Sequence, residues 1–534
     1  MRRTPPTSLL APLALALLLV VCAGIDRAAA RTFRWASDAD VAALDPYARQ
    51  ERFLLAFLAN VYEPLVRRGP DLAIEPGLAT HWSQVAPLVW RFKLRDDVRF
   101  AGGEPFGADD VVFSYVRATA PTSKLAVSLS AIREVRRVDD HTIDIVTVAP
   151  DPILPAEITH WAMMSKAWCA AHDAAAPTDL VKDDENYAAS HADGTGPFMV
   201  VERVAGDHTV LAPNPGWWDR PEHNLDRVEF RPIPDDSARV AALSSGAVDM
   251  IYSVPRQDID RIARSPGLRI VHTPELRTIF LGFDQSSREL PDSGIHGRNP
   301  FKDRRVREAF SRAIDEPGIV AKVMRGLATP AALLVGSGVN GFDAALDERP
   351  AYDPAAAQRL LDEAGYARGF SLDMDCPNDR YINDETICQA VAADLAKIGI
   401  RVKLTAQTRA LFFGKIFDPG YGSSFYLMGF TPANADAASA LVNLAASRSD
   451  ALHTGEFNIG GYANRDLDAL IQRAQLEANP AARTGLLRRA LAMVKDDYAY
   501  IPLHQQGVVW AVRDGVELVQ RGDDSFPLRY VRMK

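Results

Sequence analysis

Four cysteines in 534 residues are too few for a disulfide-stapled scaffold, and an odd number is left if the first, Cys22, is removed with a leader. The spacing of Cys376 and Cys388 permits a bridge without requiring one. No cysteine–histidine spacing resembles a zinc site; His81, His141, His160 and His208 are scattered, so no metal is expected. There is no basic surplus: 60 Lys and Arg face 69 Asp and Glu, a net charge of −9, which excludes nucleic acid as the main partner. There is no internal repeat, low-complexity tract or long charged block. Beyond the N-terminus no apolar run is long enough to span a bilayer. No serine elbow is present either, since Ser244-Ser245-Gly246 lacks the preceding glycine, and Asp235-Asp236 reads as a helix cap rather than an acid–base pair.

What the chain does have is the composition of a globular protein, 47% hydrophobic and 24% charged, at a length that calls for two or three lobes. Arg2-Arg3, the apolar run Leu9 to Cys22 and Ala28-Ala29-Ala30 form the three-part layout of a cleaved signal over residues 1–30. The mature chain is then expected to begin near Arg31 in the periplasm. Lipid attachment at Cys22 is the alternative, opposed by the bulk of Val21.

Val89 to Arg95 alternates as a half-buried strand, and Gly102-Gly103 marks a turn before a helix opening at Asp109-Asp110. Val306, Ala309, Phe310, Ala313 and Ile314 fall at helical spacing, which puts Lys302, Arg304, Arg305 and Arg307 on a solvated face. Asp353-Pro354 caps a helix that Gly365 ends, and Ile387, Val391, Leu395 and Ile398 repeat the pattern up to Gly399. The strand Arg401 to Leu404 follows. Helix, short loop and strand in succession indicate α/β lobes. Gly194-Thr195-Gly196-Pro197-Phe198 could cradle a phosphate, but Pro197 removes a backbone donor and a strand follows, so no nucleotide cofactor is expected.

Several stretches together resemble the extracytoplasmic solute-binding proteins of peptide and nickel ABC importers. They are PGLATHWSQ (76–84), WRFKLRDDVRFAGGEPFGADDVVFS (90–114), GTGPF (194–198), the run from Asn214 to Met250, NPFKDRRVREAFSRAID (299–315) and YDPAAAQRLLDEAGY (352–366). The resemblance implies a type II periplasmic-binding-protein clamp of two α/β lobes on a hinge, with a small extra domain. The expected divisions are 31–75, 191–275 and 502–534 for lobe I, 76–190 for the extra domain and 276–501 for lobe II. Chain crossings are expected near Leu276 to Leu281 and Ile501 to His504. In this family GTGPF is a turn into a strand, and Trp217-Trp218 reads as a packed corner rather than a stacking platform.

The resemblance also implies a ligand site. Where dipeptide binders carry a glycine–aromatic pair and then an aspartate for the peptide's α-amino group, this chain has Gly429-Phe430 and then Ala433, with Asn434 and Asp436 nearby. An alanine cannot neutralise a buried ammonium, which costs several kcal/mol if unpaired. Arg380 matches the arginine that grips the ligand carboxylate, and Arg409 falls where a stacking tryptophan is expected. Phe430, Thr431 and Gln50 complete the candidate pocket. The expected ligand is a carboxylate-bearing peptide or peptide-like molecule lacking a free N-terminal amine. The expected partners are an inner-membrane ABC permease with its ATPase subunits, the binding protein being a monomer and not an enzyme. A sensor built on the same clamp and, less favoured, a hydrolase are the rival readings.

Overall fold

The computed structural model describes residues 30–180, 182, 185–291, 293–418 and 422–534. Residues 1–29 of the signal reading, including Arg2, Arg3 and Cys22, lie outside the described residues. No described helix is long and apolar enough to cross a membrane.

One eleven-stranded sheet runs through the molecule. At one end lie the parallel strands Arg401–Gln407 and Ser371–Pro377, then Phe425–Phe430. At the other end lie Thr32–Ser37, Arg227–Pro232, His208–Pro213 and Phe198–Val204. The two ends are joined by two long antiparallel strands, Leu268–Phe283 and Tyr500–Arg513. Their register shifts twice: a narrow shift leaves Leu503 unmatched between the Ile279–His504 and Phe280–Pro502 pairs, and at the wider one Pro274 faces Gly507 and Thr278 faces Gln505, so Glu275, Leu276 and Arg277 oppose Gln506 alone. Pro274 has no N–H to give, and extra residues on one strand bend the ribbon and release side chains from the pleat.

The apolar residues segregate on either side of this break. One cluster gathers Phe33, Trp35, Phe57, Phe230 and Trp510 with Trp161 and with Phe92 and Ile143 from the separate four-stranded sheet that spans Ala79 to Thr147. We call this half lobe I; the small sheet shares its core. Two further clusters, one around Phe280, Leu441 and Leu487 and one around Phe283, Phe310 and Leu395, make lobe II. Leu72 crosses over: it sits with φ +67° in a lobe I loop, yet its side chain belongs to the first lobe II cluster and packs at Gly338.

The local signals act as their chemistry predicts. Asp353 accepts from the Ala356 amide to cap Pro354–Glu363, and Gly365 follows with φ +84°. Asp235 caps Asp236–Ser245 by accepting from the Ala238 amide. Trp217 and Trp218 both donate their indole N–H to Glu63, at 3.2 and 2.7 Å, and Arg95 lies 3.8 Å above the Trp218 ring, so the pair is a packed corner. Cys376 and Cys388 are bonded, tying the strand Ser371–Pro377 to the helix Asp384–Ala396 and fixing both ends of the loop that holds Arg380. Cys169 is a buried thiol. The reading of Arg307 as solvated is corrected: it is buried, pairs with Asp497 at 2.9 Å and donates to the carbonyls of Phe301, Asp497 and Tyr498. Val306 and Phe310 mark the apolar stripe, but a guanidinium can serve the buried side when carbonyls meet it there.

In the 194–198 turn, the amides of Gly196 and Phe198 donate to the carbonyls of Val61 and Asn60. A Cβ on Gly194 would stand 2.0 Å from the Val61 carbonyl oxygen, so glycine is needed for chain packing rather than for an anion. Gly194→Ala is expected to lower stability by about 2 kcal/mol or more, read from urea unfolding; an unchanged midpoint would contradict this account of the turn.

Candidate functional site

The break in the long ribbon opens onto a cavity of about 610 Å³ between the lobes. Gln50 and Arg52 reach it from lobe I, the 125–131 segment and Glu157 from the small domain, and Thr431, Ala433 and Asn434 from lobe II. Glu275 and Leu276 form part of its floor because the interrupted ladder leaves them free to turn inward. Two further spaces, of about 350 and 420 Å³, share Arg256, Asn383 and Thr386. The first carries Arg380 with Asp379 and Tyr381; the second is closed by Ser253 and Val254 of lobe I, Lys322 to Arg325 of lobe II and Gly507.

A row of arginines links these spaces. Arg52 pairs with Glu275 at 2.8 Å, and Arg277 lies 3.3 Å from the same carboxylate while donating to Thr431 Oγ1 at 3.1 Å. The Arg277 and Arg380 guanidiniums lie 6.0 and 5.3 Å from the ring of Tyr381, whose hydroxyl donates to the Gly429 carbonyl. Burial holds the Arg277 pKa below its ordinary value; Glu275 opposes this, and Arg52 and Arg380 add to it. Gly429 makes the arrangement possible: a Cβ there would lie 2.7 Å from Ile279 Cδ1, 3.0 Å from the Tyr381 ring and 3.2 Å from Arg277 Cδ.

The candidate residues are divided by this geometry. Gln50, Thr431 and Asn434 line the large cavity, beside Ala433. Arg380 is exposed on its loop, which is held by the Arg380 and Tyr381 amides donating to Asp384 Oδ2 at 2.9 Å each. Arg409 begins the helix Arg409–Ile416; its amide donates to Asp379, and its side chain lines none of the three spaces. Phe430 is half-buried against Phe457, with ring centroids 6.0 Å apart. Asp436 is corrected outright. It is buried, receives both Arg483 guanidinium nitrogens at 2.5 and 2.8 Å, accepts from Asn340 and caps Ala437–Ala440, so no oxygen is free for a ligand ammonium. Removing either partner of such a pair costs roughly 3–5 kcal/mol. Arg52, Glu275, Arg277 and Tyr381 had no motif to announce them; Pro274 inside a strand-like run was the available signal that the ladder breaks there.

The cavity's acids are already answered. Glu275 faces two arginines, and Asp523 sits in the fork of Arg521. Asp151 and Glu157 are both pushed up, first by burial, and Glu157 further by the carboxylates of Asp151 and Asp436. Asp151 Oδ2 is buried with no donor, which a proton held on Glu157 would satisfy. In the unfolded chain Glu157 ionises in the ordinary carboxyl range, so folding takes up a proton and stability falls as pH rises from that range toward the raised value. Glu157→Gln mimics the protonated acid. Its Tm is therefore expected to exceed the wild type at about pH 8, with a gap that narrows toward about pH 5; a gap that widens on acidification would contradict the assignment.

This architecture has relatives. A family model described as bacterial extracellular solute-binding proteins, family 5 middle, matches residues 73–451. The glutathione-binding protein GsiB of Salmonella typhi is 25% identical over 476 residues, 88% of each chain. Among solved structures, HbpA2 of Haemophilus parasuis superposes with a TM-score of 0.81 at 22% identity, covering 94% of this chain and 100% of that one. The unliganded open form of MppA, a periplasmic murein tripeptide binding protein, gives 0.79 at 22%, covering 95% and 98%. AgaA from A. tumefaciens R10, in complex with agropinic acid, gives 0.64 at 21%, covering 94% and 99%. By the extent of the family match and the fold it shares with these structures, the chain belongs to the bacterial extracellular solute-binding proteins of family 5.

Proposed function

We propose that this protein captures a carboxylate-bearing peptide or peptide-like molecule outside the cytoplasm and delivers it to an ABC permease powered by cytoplasmic ATPase subunits. It acts by binding, with no reaction of its own. We place its lobe boundaries where the sequence suggested, with 31–75, 191–275 and 502–534 on one side and 276–501 on the other. Closure is favoured when a ligand touches both lobes at once, because only such contacts differ between the open and closed forms. The better superposition on an unliganded open form than on a ligand complex fits separated lobes awaiting a ligand.

One observation carries the ligand class. Every carboxylate that lines the large cavity among the described residues is matched by an arginine or held protonated, and Ala433 stands where dipeptide binders place an aspartate. An ammonium entering this space finds no free anion. A carboxylate finds Arg52 in the cavity wall, with Arg277 next to it on the shared Glu275 and Arg380 beyond, against the ring of Tyr381, and a guanidinium can hold it through two parallel hydrogen bonds. Ligands with a blocked, conjugated or absent amine therefore suit the site, a class that includes acylated peptides and opine-like conjugates.

Isothermal titration with a dipeptide and with its N-acetylated form tests this. The acetylated form is expected to bind at least as tightly, and Arg380→Met is expected to weaken it about tenfold. A preference of tenfold or more for the free amine would overturn the ligand class.

A further inference from the structure

Six arginines are buried among the described residues: Arg68, Arg117, Arg239, Arg307, Arg483 and Arg521. Five have a carboxylate within 4.0 Å, namely Asp45, Asp236, Asp497, Asp436 and Asp523 in that order. Arg68 has none. Its guanidinium donates only to carbonyls, to Leu72 at 3.0 Å, to Ala156 at 3.2 Å and to Asn434 of lobe II at 2.6 Å. Carbonyl dipoles satisfy hydrogen bonds but do not cancel a unit charge, and a buried charge without a counter-ion is costly. Burial accordingly lowers the Arg68 pKa to about 10, with Asp523 opposing and Arg521 reinforcing the shift.

Arg68 lines a side cavity of about 90 Å³ together with Arg67, Arg521, Arg529, His160 and Trp217. This cavity shares Ala56, Ala59, His160 and Ser525 with the large one, so it opens off the ligand space. Its own acid is engaged: Glu63 accepts from Trp217, Trp218 and Thr195. Asp523 is held in the fork of Arg521, and Asp219 accepts from Arg67. Arg67 Nε and Nη1 are buried and make no hydrogen bond, the nearest carboxylate oxygens, of Glu75 and Glu63, standing off at 3.9 and 3.8 Å. Donors without acceptors, a cation without a counter-ion and a small void coincide.

We propose that this side cavity is an oxyanion subsite, and that the ligand taken up in the main cleft is a diacid whose second carboxylate enters it. The inference rests on the cleft being the ligand site. A cavity of this size admits a carboxylate or another small oxyanion, being worth about three waters of liquid volume. Arg68 also donates to Asn434, so a group bound there would touch the contact between the lobes.

The test uses the full chain, calorimetry with N-acetyl-Ala-Ala and N-acetyl-Ala-Glu, and tryptophan emission with inorganic phosphate, Trp217 serving as reporter. The diacid is expected to bind about tenfold tighter than the monoacid. Arg68→Met is expected to reduce that ratio to about one and Arg68→Lys to restore part of it. Arg529→Met, which leaves the three carbonyl bonds of Arg68 in place, is expected to reduce the ratio too. Phosphate that binds and erases the diacid preference supports the subsite and identifies a free anion as its competing occupant. Equal affinities for the two peptides, with no response to phosphate, overturn the proposal while leaving the cleft reading intact. A response to phosphate without binding of either peptide supports the subsite and instead removes the proposed ligand class.

Discussion

Two long strands joined by hydrogen bonds, and the wider of the two places where their register shifts, organise this molecule. The ribbon of Leu268–Phe283 and Tyr500–Arg513 is continuous enough to make one sheet of both lobes and broken enough, after Pro274, to bend. The same interruption supplies the site. Glu275, Leu276 and Arg277 can face the cleft because they have left the alternating pattern of a paired strand. Hinge and cleft floor are thus one local departure from regular geometry, flanked by separate apolar cores that keep each lobe rigid.

Charge is the second organising constraint. Buried arginines recur through the molecule, and nearly all are matched within a few ångströms by an aspartate: Arg117 by Asp45, Arg307 by Asp497, Arg483 by Asp436. Such pairs add little net stability but punish any arrangement that separates them, which favours a unique packing. Against that rule the row Arg52, Arg277 and Arg380 stands out: Glu275 serves both Arg52 and Arg277, and a second carboxylate, that of Asp524, lies 3.9 Å from Arg52. Arg68 departs further still. An excess of cation concentrated where the lobes meet is what a binding protein for acids requires, and a net negative surface elsewhere does not alter it.

Much of the fold was legible in the sequence because its signals are local. The Asp353-Pro354 cap with Gly365, the stripe of Val306 and Phe310, and the proline that spoils a phosphate loop at 194–198 all act within one or two turns of chain. The site was less legible because its geometry depends on distant pairing. Asp436 looked available until Arg483, forty-seven residues on, closed over it. Arg307 looked solvated until the carbonyls of residues 497 and 498 reached it. Gln50, Thr431 and Asn434 were found through resemblance, and they meet in one cavity only because the broken ribbon brings them there. The disulfide was permitted by spacing and decided by a strand lying beside a helix.

Closure of the lobes about the broken ribbon when an acid occupies the space between them is open to direct test. Small-angle scattering of the full chain, with and without a saturating N-acetylated dipeptide, addresses it most directly. A smaller radius of gyration in the bound sample is the predicted result. Identical scattering curves, with calorimetry confirming that the ligand is bound, would contradict it.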